Sequence, residues 1–344
     1  MWAFILRRVL YNIPVFLIII LVMMAMLRVQ DPVRAYTGKN VSEEQIERIR
    51  QEFGLDKPFV VQYWIFMSDA LGIGEETPFL DFGESWAYPG STVREKLLTA
   101  FPASMSITVP TLICTSVISI CIGLVSAFFR GRSLDRGLVI AAVLGMSISY
   151  LVYVILGQYF LAYLPRNLGW EFQPFAISGY EPWTEWGSFE LFGLSVPYPT
   201  SVNPKTWMTY CMLPVIVGVT VGMGYDTRFY RAVMVEECNR DYITTAQAKG
   251  APKSKIMFVH MLKNAMIPII TRIMITLPFL VTGSIVLEMY FNIPGMGKML
   301  IDSIISKDYP MVQGFTAVIA FLYIGSIILT DVLYAVVDPR IRLS

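Results

Sequence analysis

Six mostly apolar stretches, at about 9–27, 102–129, 138–164, 208–225, 267–290 and 312–336, punctuate the chain. Each reaches or approaches the roughly 20 residues needed to cross a hydrocarbon core of about 30 Å, so each predicts a membrane-spanning helix. Arg7 and Arg8 precede the first stretch as they would in a signal peptide, but no small-residue cleavage pattern closes it, and it reads as a retained first helix. Between the first two stretches the pattern becomes amphipathic. Ile46, Ile49 and Phe53 share one helical face, Ser42 can cap with Gln45 in the third position, and Gly54 offers a left-handed stop. That predicts a short outer helix, open either to packing on the bundle or to contact with a solute.

Charge orients the stretches. Arg7 and Arg8, then Arg130, Arg132 and Arg136, then the basic residues from Arg228 to Lys263, then Arg340 and Arg342 fall in alternate connections. Positive-inside sorting therefore places both termini of a multi-pass membrane protein in the cytoplasm. The segment 31–100 is acid-rich, with Glu43, Glu44, Glu47, Glu52, Asp56, Asp69, Glu75, Glu76, Asp81 and Glu84, and belongs outside. The connection 165–207 is also external. It carries Trp170, Phe172, Phe175, Tyr180, Trp183, Trp186, Phe189, Phe192, Tyr198 and Trp207, which suit either an interfacial belt or a docking face. The organisation is thus a first helix within 1–30, an outer segment at 31–100, and a core at 101–344 with the outer loop 165–207 and an inner loop at 226–265.

Composition narrows the chemistry. The 344 residues are 55% hydrophobic and 15% charged, which suits a membrane solvent and gives no basic surface for nucleic acid. Cys114, Cys121, Cys211 and Cys238 form no metal-ligand spacing, and His260 is the single histidine, so neither a metal centre nor a catalytic triad is expected. Within the spans, Pro102, Pro110, Pro214, Pro268 and Pro278 interrupt helical bonding, and Gly218 with Gly222 makes a GxxxG spacing suited to close helix contact or to hinging. Ser104 and Thr108 head a run of hydroxyl residues in the second stretch that could line a wet path or pack. Arg272 lies inside an apolar run, and Glu288 and Asp331 nearer the ends of theirs. Such a cation either snorkels or has a partner and a function, so Arg272, Pro278, Ser104 and Thr108 are the candidate pore or gating residues.

The inner connection is too polar to cross a membrane, yet Tyr242, Ile243, Ala246, Ala248, Ile256, Met257 and Val259 give it an apolar component. Gly250 followed by Pro252 breaks it into two short helices, a knob able to meet another protein. The run Asp241-Tyr242-Ile243-Thr244-Thr245-Ala246-Gln247-Ala248-Lys249-Gly250, followed by His260-Met261-Leu262-Lys263-Asn264-Ala265-Met266-Ile267-Pro268, resembles the cytoplasmic coupling loop of the dipeptide, oligopeptide and nickel permeases of ATP-binding-cassette importers. Where the broader importer class has Glu-Ala-Ala, this chain has Thr244, Thr245 and Ala246. Gly54-Leu55-Asp56-Lys57-Pro58, Asp81-Phe82-Gly83-Glu84-Ser85, Pro294-Gly295-Met296-Gly297, Asp308-Tyr309-Pro310 and Asp338-Pro339-Arg340 are similar to other segments of the first permease of such pairs.

The resemblance implies an all-α membrane protein, a six-transmembrane-helix type I importer bundle of the MetI-like kind. It implies a second permease subunit, two ATPase subunits and a periplasmic or lipoprotein solute-binding protein as partners, besides membrane lipids. It also points to Asp241, Tyr242, Ala246, Lys249, Gly250 and Pro252 as ATPase-coupling residues. No cofactor is expected in this chain, because ATP and Mg would be bound by the ATPases. Gly295-Met296-Gly297-Lys298 lacks the first glycine and the closing hydroxyl residue of a phosphate-binding loop. Asn40-Val41-Ser42 matches a glycosylation sequon only as a short pattern. Peptides are the default solute, with nickel chelates and oligosaccharides as alternatives. A stand-alone secondary transporter or channel would show ionisable groups at mid-membrane or inverted repeats, and a membrane enzyme would show an assembled nucleophile, base or metal cluster.

Overall fold

The computed structural model describes residues 2–29, 31–37, 42–73, 79–170, 174–191, 194–278 and 285–337. Asn40, Val41, Glu75, Glu76, Phe172, Phe192, the Asp338-Pro339-Arg340 run and Arg342 lie outside them. Three helices are each long and apolar enough to cross a membrane: Leu6–Leu27, Val93–Phe128 and Tyr309–Tyr334. Three further helix pairs, bent by 93°, 56° and 59°, bring the described spans to as many as six.

The long helix Val93–Phe128 begins nine residues before its apolar stretch, because the Thr92 side chain accepts the Glu95 N–H at 3.2 Å and supplies a cap there. The central helix Met212–Cys238 continues well past Asp226, where a loop was expected. Its charges are neutralised laterally: Asp226 by Arg272 at 2.8 Å, and Arg231 by Asp135 at 2.8 Å. A Cβ placed on Gly218 would lie 2.8 Å from Thr111 Cγ2, one on Gly222 2.9 Å from Thr115 Cγ2, and one on Gly123 3.0 Å from Tyr230 Cβ. The same sequence offset recurs in all three contacts, so the long and central helices run parallel with their backbones in close approach.

Between these parallel helices, the stretch expected at 138–164 is a bent span. It is Ser133–Ser147 followed by Tyr150–Asn167, bent by 93° where Ile148 and Ser149 take extended backbone at ψ 134° and 141°. The freed groups are re-satisfied locally, with the Tyr153 hydroxyl donating to Gly145 O at 2.8 Å. The stretch 267–290 is likewise not one continuous described helix. Met266–Thr276 and Ile285–Phe291 flank residues outside the description.

The external connection 165–207 contains an antiparallel hairpin, β1 Thr184–Leu191 paired with β2 Leu194–Val202, with an irregularity at Glu185 and Trp186. Phe175, Tyr180, Trp183 and Trp207 pack onto a core that includes Ile107, Leu213 and Phe291, and Trp207 donates to Ser106 O at 3.0 Å. Trp170 and Tyr198 are exposed.

The described residues of 31–92 form an arm on the side of the bundle where the long helix starts. In it Ser42 caps Glu43–Glu52 with a reciprocal Ser42–Gln45 box, and Gly54 takes φ +64°. Ile46 is buried and Phe53 stacks on Trp86 at 4.3 Å. Asp308, fully buried just ahead of the closing helix Tyr309–Val337, accepts the backbone N–H groups of Trp86 and Ala87, the Ser85 hydroxyl and the Met311 N–H. A second arm helix, Phe59–Ala70, packs along the first helix, and the Tyr63 hydroxyl donates to Leu17 O at 3.0 Å. Where the chain returns, Phe79 meets Phe321 with ring centres 6.2 Å apart.

Candidate functional site

At the opposite end of the bundle the inner connection folds into the knob. Asp241–Ala248 is closed by Gly250 at φ +74°, with Gly250 N–H donating to Gln247 O at 2.9 Å and Ala251 N–H to Ala246 O at 3.1 Å. This double closure is a Schellman turn, which a β-carbon opposes. Pro252 then opens a second limb, Lys253–Asn264, whose middle is π-helical over Ile256–Met261. Ile243, Ile256, Met257 and Met261 are buried against Leu124 and Ala127 of the long helix and Tyr230 and Met234 of the central helix, and Ala246 is buried as well. The knob is therefore rooted on the ends of the two parallel helices and cannot move independently of them.

Of the six coupling candidates, Asp241, Lys249, Gly250 and Pro252 are exposed on the knob, Tyr242 is half-buried, and Ala246 faces inward. The Tyr242 hydroxyl bonds to Glu237, and burial, followed by that carboxylate, pushes its pKa up to about 12. It stays protonated at any physiological pH and ties the knob to the end of the central helix. Thr244, Thr245, Gln247 and Ala248 share the exposed surface.

The pore or gating candidates do not form one cluster. Arg272 donates to Asp226 through Nε at 2.9 Å and lies over the Phe229 ring at 5.8 Å, so it has a partner on the central helix. Pro278 is buried two residues beyond the end of Met266–Thr276, the helix that carries Arg272. Thr108 bonds back to Ser104 O at 2.8 Å along the long helix. Ser104 is fully buried, donating to Glu288 at 2.7 Å and accepting the Met296 N–H at 2.8 Å.

Glu288 is the residue that sequence reasoning passed over. It is fully buried, accepts the Lys298 N–H at 2.9 Å, and leaves no room for a side chain at Gly295, whose Cβ would sit 2.4 Å from its carboxyl carbon. It pins the long helix, the helix Ile285–Phe291 and the start of Met296–Ile305 together. The glycine next to Pro294 was the available signal. Asp135 is a second such anchor, bonded to Ser126, Gly131 N–H and Arg231. Among the described residues no group of three or more His, Cys, Asp and Glu side chains is placed to hold a metal ion. The arrangement holds helices to one another and presents a surface.

The two ends of the chain match two families of transport components. Residues 119–343 match the family described as binding-protein-dependent transport system inner membrane component, and residues 1–108 match the N-terminal part of such membrane components. The chain is 30% identical to the oligopeptide transport system permease protein AppB of Bacillus subtilis, over 99% of this chain and 100% of the relative. It is 30% identical to the glutathione transport system permease protein GsiC of Salmonella choleraesuis, with 99% of each covered. The knob rooted on two parallel membrane helices, the arm locked to the last helix and the matches along nearly the whole chain lead to one assignment: the chain belongs to the binding-protein-dependent transport system inner membrane component family, the multi-pass permease subunits of ATP-binding-cassette importers.

Proposed function

We propose that the chain forms half of the translocation path of an importer for peptides, with the other half supplied by a second permease subunit. Two ATPase subunits bind ATP and Mg, and a solute-binding protein delivers the solute to the arm side. The observation that carries the reading is the Schellman-closed knob fixed to the ends of the long and central helices. A push on Asp241, Thr244, Thr245, Lys249 or Pro252 reaches both helices as a rigid displacement, which is how closure of paired ATPases would switch the path from inward to outward facing. Ser104, Thr108, Arg272 and Pro278 then act by holding and releasing helices. The chain itself is non-catalytic, and both termini are cytoplasmic.

Peptide is preferred as solute because relatives covering the whole chain carry oligopeptide and glutathione transport in their names. Nickel chelates or oligosaccharides are the alternatives within the family. The test is reconstitution. The chain alone should neither hydrolyse ATP nor move peptide under an imposed proton or sodium gradient, and addition of the second permease, the ATPases and the binding protein should give ATP-dependent peptide uptake. Gradient-driven uptake by the isolated chain would overturn the proposal.

A further inference from the structure

The arm helix Phe59–Ala70 is mostly apolar, and its polar residues Gln62 and Asp69 line a cleft that also holds Arg28, Lys57 and Asp81. Gln62, Tyr63, Met67 and Ala70 are buried against the bundle, while Val60, Val61, Trp64 and Ile65 form a continuous exposed stripe on the other side. No charged residue occurs from Phe59 to Ser68. A surface helix in water carries a polar outer face, and one that is hydrophobic all round has an apolar medium against it.

Its depth identifies that medium. The helix starts beside the end of the first span, where the Arg28 guanidinium lies 5.2 Å from the centre of the Phe59 ring. It then runs back along the span until Tyr63 reaches Leu17, ten residues before Leu27. At 1.5 Å per residue that contact lies about 15 Å inside the end of the span, about the middle of a hydrocarbon core near 30 Å thick. Phe79, where the description resumes, gives the same depth independently. Phe79 touches Phe321, twelve residues into the closing span that starts at Tyr309. That is about 18 Å from its arm-side end by the same rise.

The described residues on either side of the turn below the helix bond their backbone N–H groups locally, as burial in lipid requires. Leu71, Gly72 and Ile73 donate to Met67, Asp69 and Ser68 carbonyls, with Gly72 at φ +64°, and Leu80 donates to Ala70 O. Between the exposed stripe and Leu17 runs a groove of about 550 Å³ lined by Val61, Trp64, Ile65, Leu71 and Ile73. Its wall on the membrane-spanning first helix is Leu17, one turn from which Ile13 and Leu21 are exposed.

We infer that Phe59–Ile73 is a re-entrant element of the arm-side leaflet, and that the Val60–Val61–Trp64–Ile65 stripe and its groove are covered by phospholipid acyl chains. The apolar lining of the groove and its place against Leu17 of the first span select lipid over a protein partner. The assignment holds whatever solute the importer carries.

The test uses the complete importer in liposomes, with a benzoylphenylalanine photo-cross-linker at Val61 or Trp64 and a control at Glu47, which is exposed on the arm's polar helix. Illumination should give phospholipid adducts at Val61 and Trp64 and none at Glu47. Independently, brominated-chain phosphatidylcholine should quench part of the tryptophan emission of the unsubstituted importer, and Trp64→Phe should lose that quenched component. Adducts to the solute-binding protein, the second permease or another copy of this chain would overturn the inference. So would lipid adducts no more abundant at Val61 than at Glu47, or quenching unchanged by Trp64→Phe.

Discussion

Gly250 carries the shape of the knob in one torsion angle. With φ at +74°, any L side chain there works against a left-handed backbone at a cost of about 1–2 kcal/mol. Gly250→Val should leave the subunit inserted and assembled but lower solute-stimulated ATP hydrolysis and uptake together, and Gly250→Asn should lie between; unchanged stimulation in the Val variant would count against coupling through this turn. Its position was legible because Gly-x-Pro after a short amphipathic run has one common solution. Arg272 was legible only as an anomaly. Its partner Asp226 sits 46 residues away, on what the sequence presents as the start of a polar loop. Arg272→Ala leaves Asp226 buried and unpaired, and should destabilise the detergent-solubilised chain by about 1–3 kcal/mol. Adding Asp226→Ala should then cost little, and a cycle showing two additive losses would mean that the pair does not act as a unit.

Between elements, the decisive contacts are made by absent atoms. The Gly218 and Gly222 spacing announced close approach, but nothing in it named Thr111 and Thr115 as the opposite wall. Gly222→Ala should cost about 1–3 kcal/mol by overpacking. Thr115→Ser removes the Cγ2 atom that the new methyl would meet, so the double variant should recover much of the melting temperature; failure to recover would place the strain elsewhere. The bend at Ile148 and Ser149 was invisible to hydropathy because serine and isoleucine interrupt neither length nor apolarity, and the kink depends on Tyr153 reaching back to Gly145. The hairpin Thr184–Val202 was hidden for another reason. Its pairing partner is its own neighbour, in a segment whose Pro197 and Pro199 argue against strand.

For the molecule as a whole, the six stretches and the separation of a basic end from an acidic one could be read directly, since both follow from solvent preference residue by residue. The depth of the arm could not. A count of carboxylates placed residues 31–100 outside, while the uncharged Phe59–Ser68 run within them packs halfway down the first helix. The Asp308 anchor is equally non-local, since its acceptor oxygens and the Trp86 and Ala87 donors are more than two hundred residues apart. Asp308→Ala strands those buried N–H groups at about 1–3 kcal/mol each, and should make the arm the first site cut in limited proteolysis of the intact subunit. The same anchor sets an order of events in synthesis. Residues near 85 emerge from the ribosome long before residue 308 exists, so the arm waits unlatched through the insertion of every intervening helix, and its closure is a late, long-range contact of the fold. A chain stalled before its last helix is therefore an open-armed intermediate that quality-control proteases can recognise, and the finished subunit conceals that mark by making its final turn.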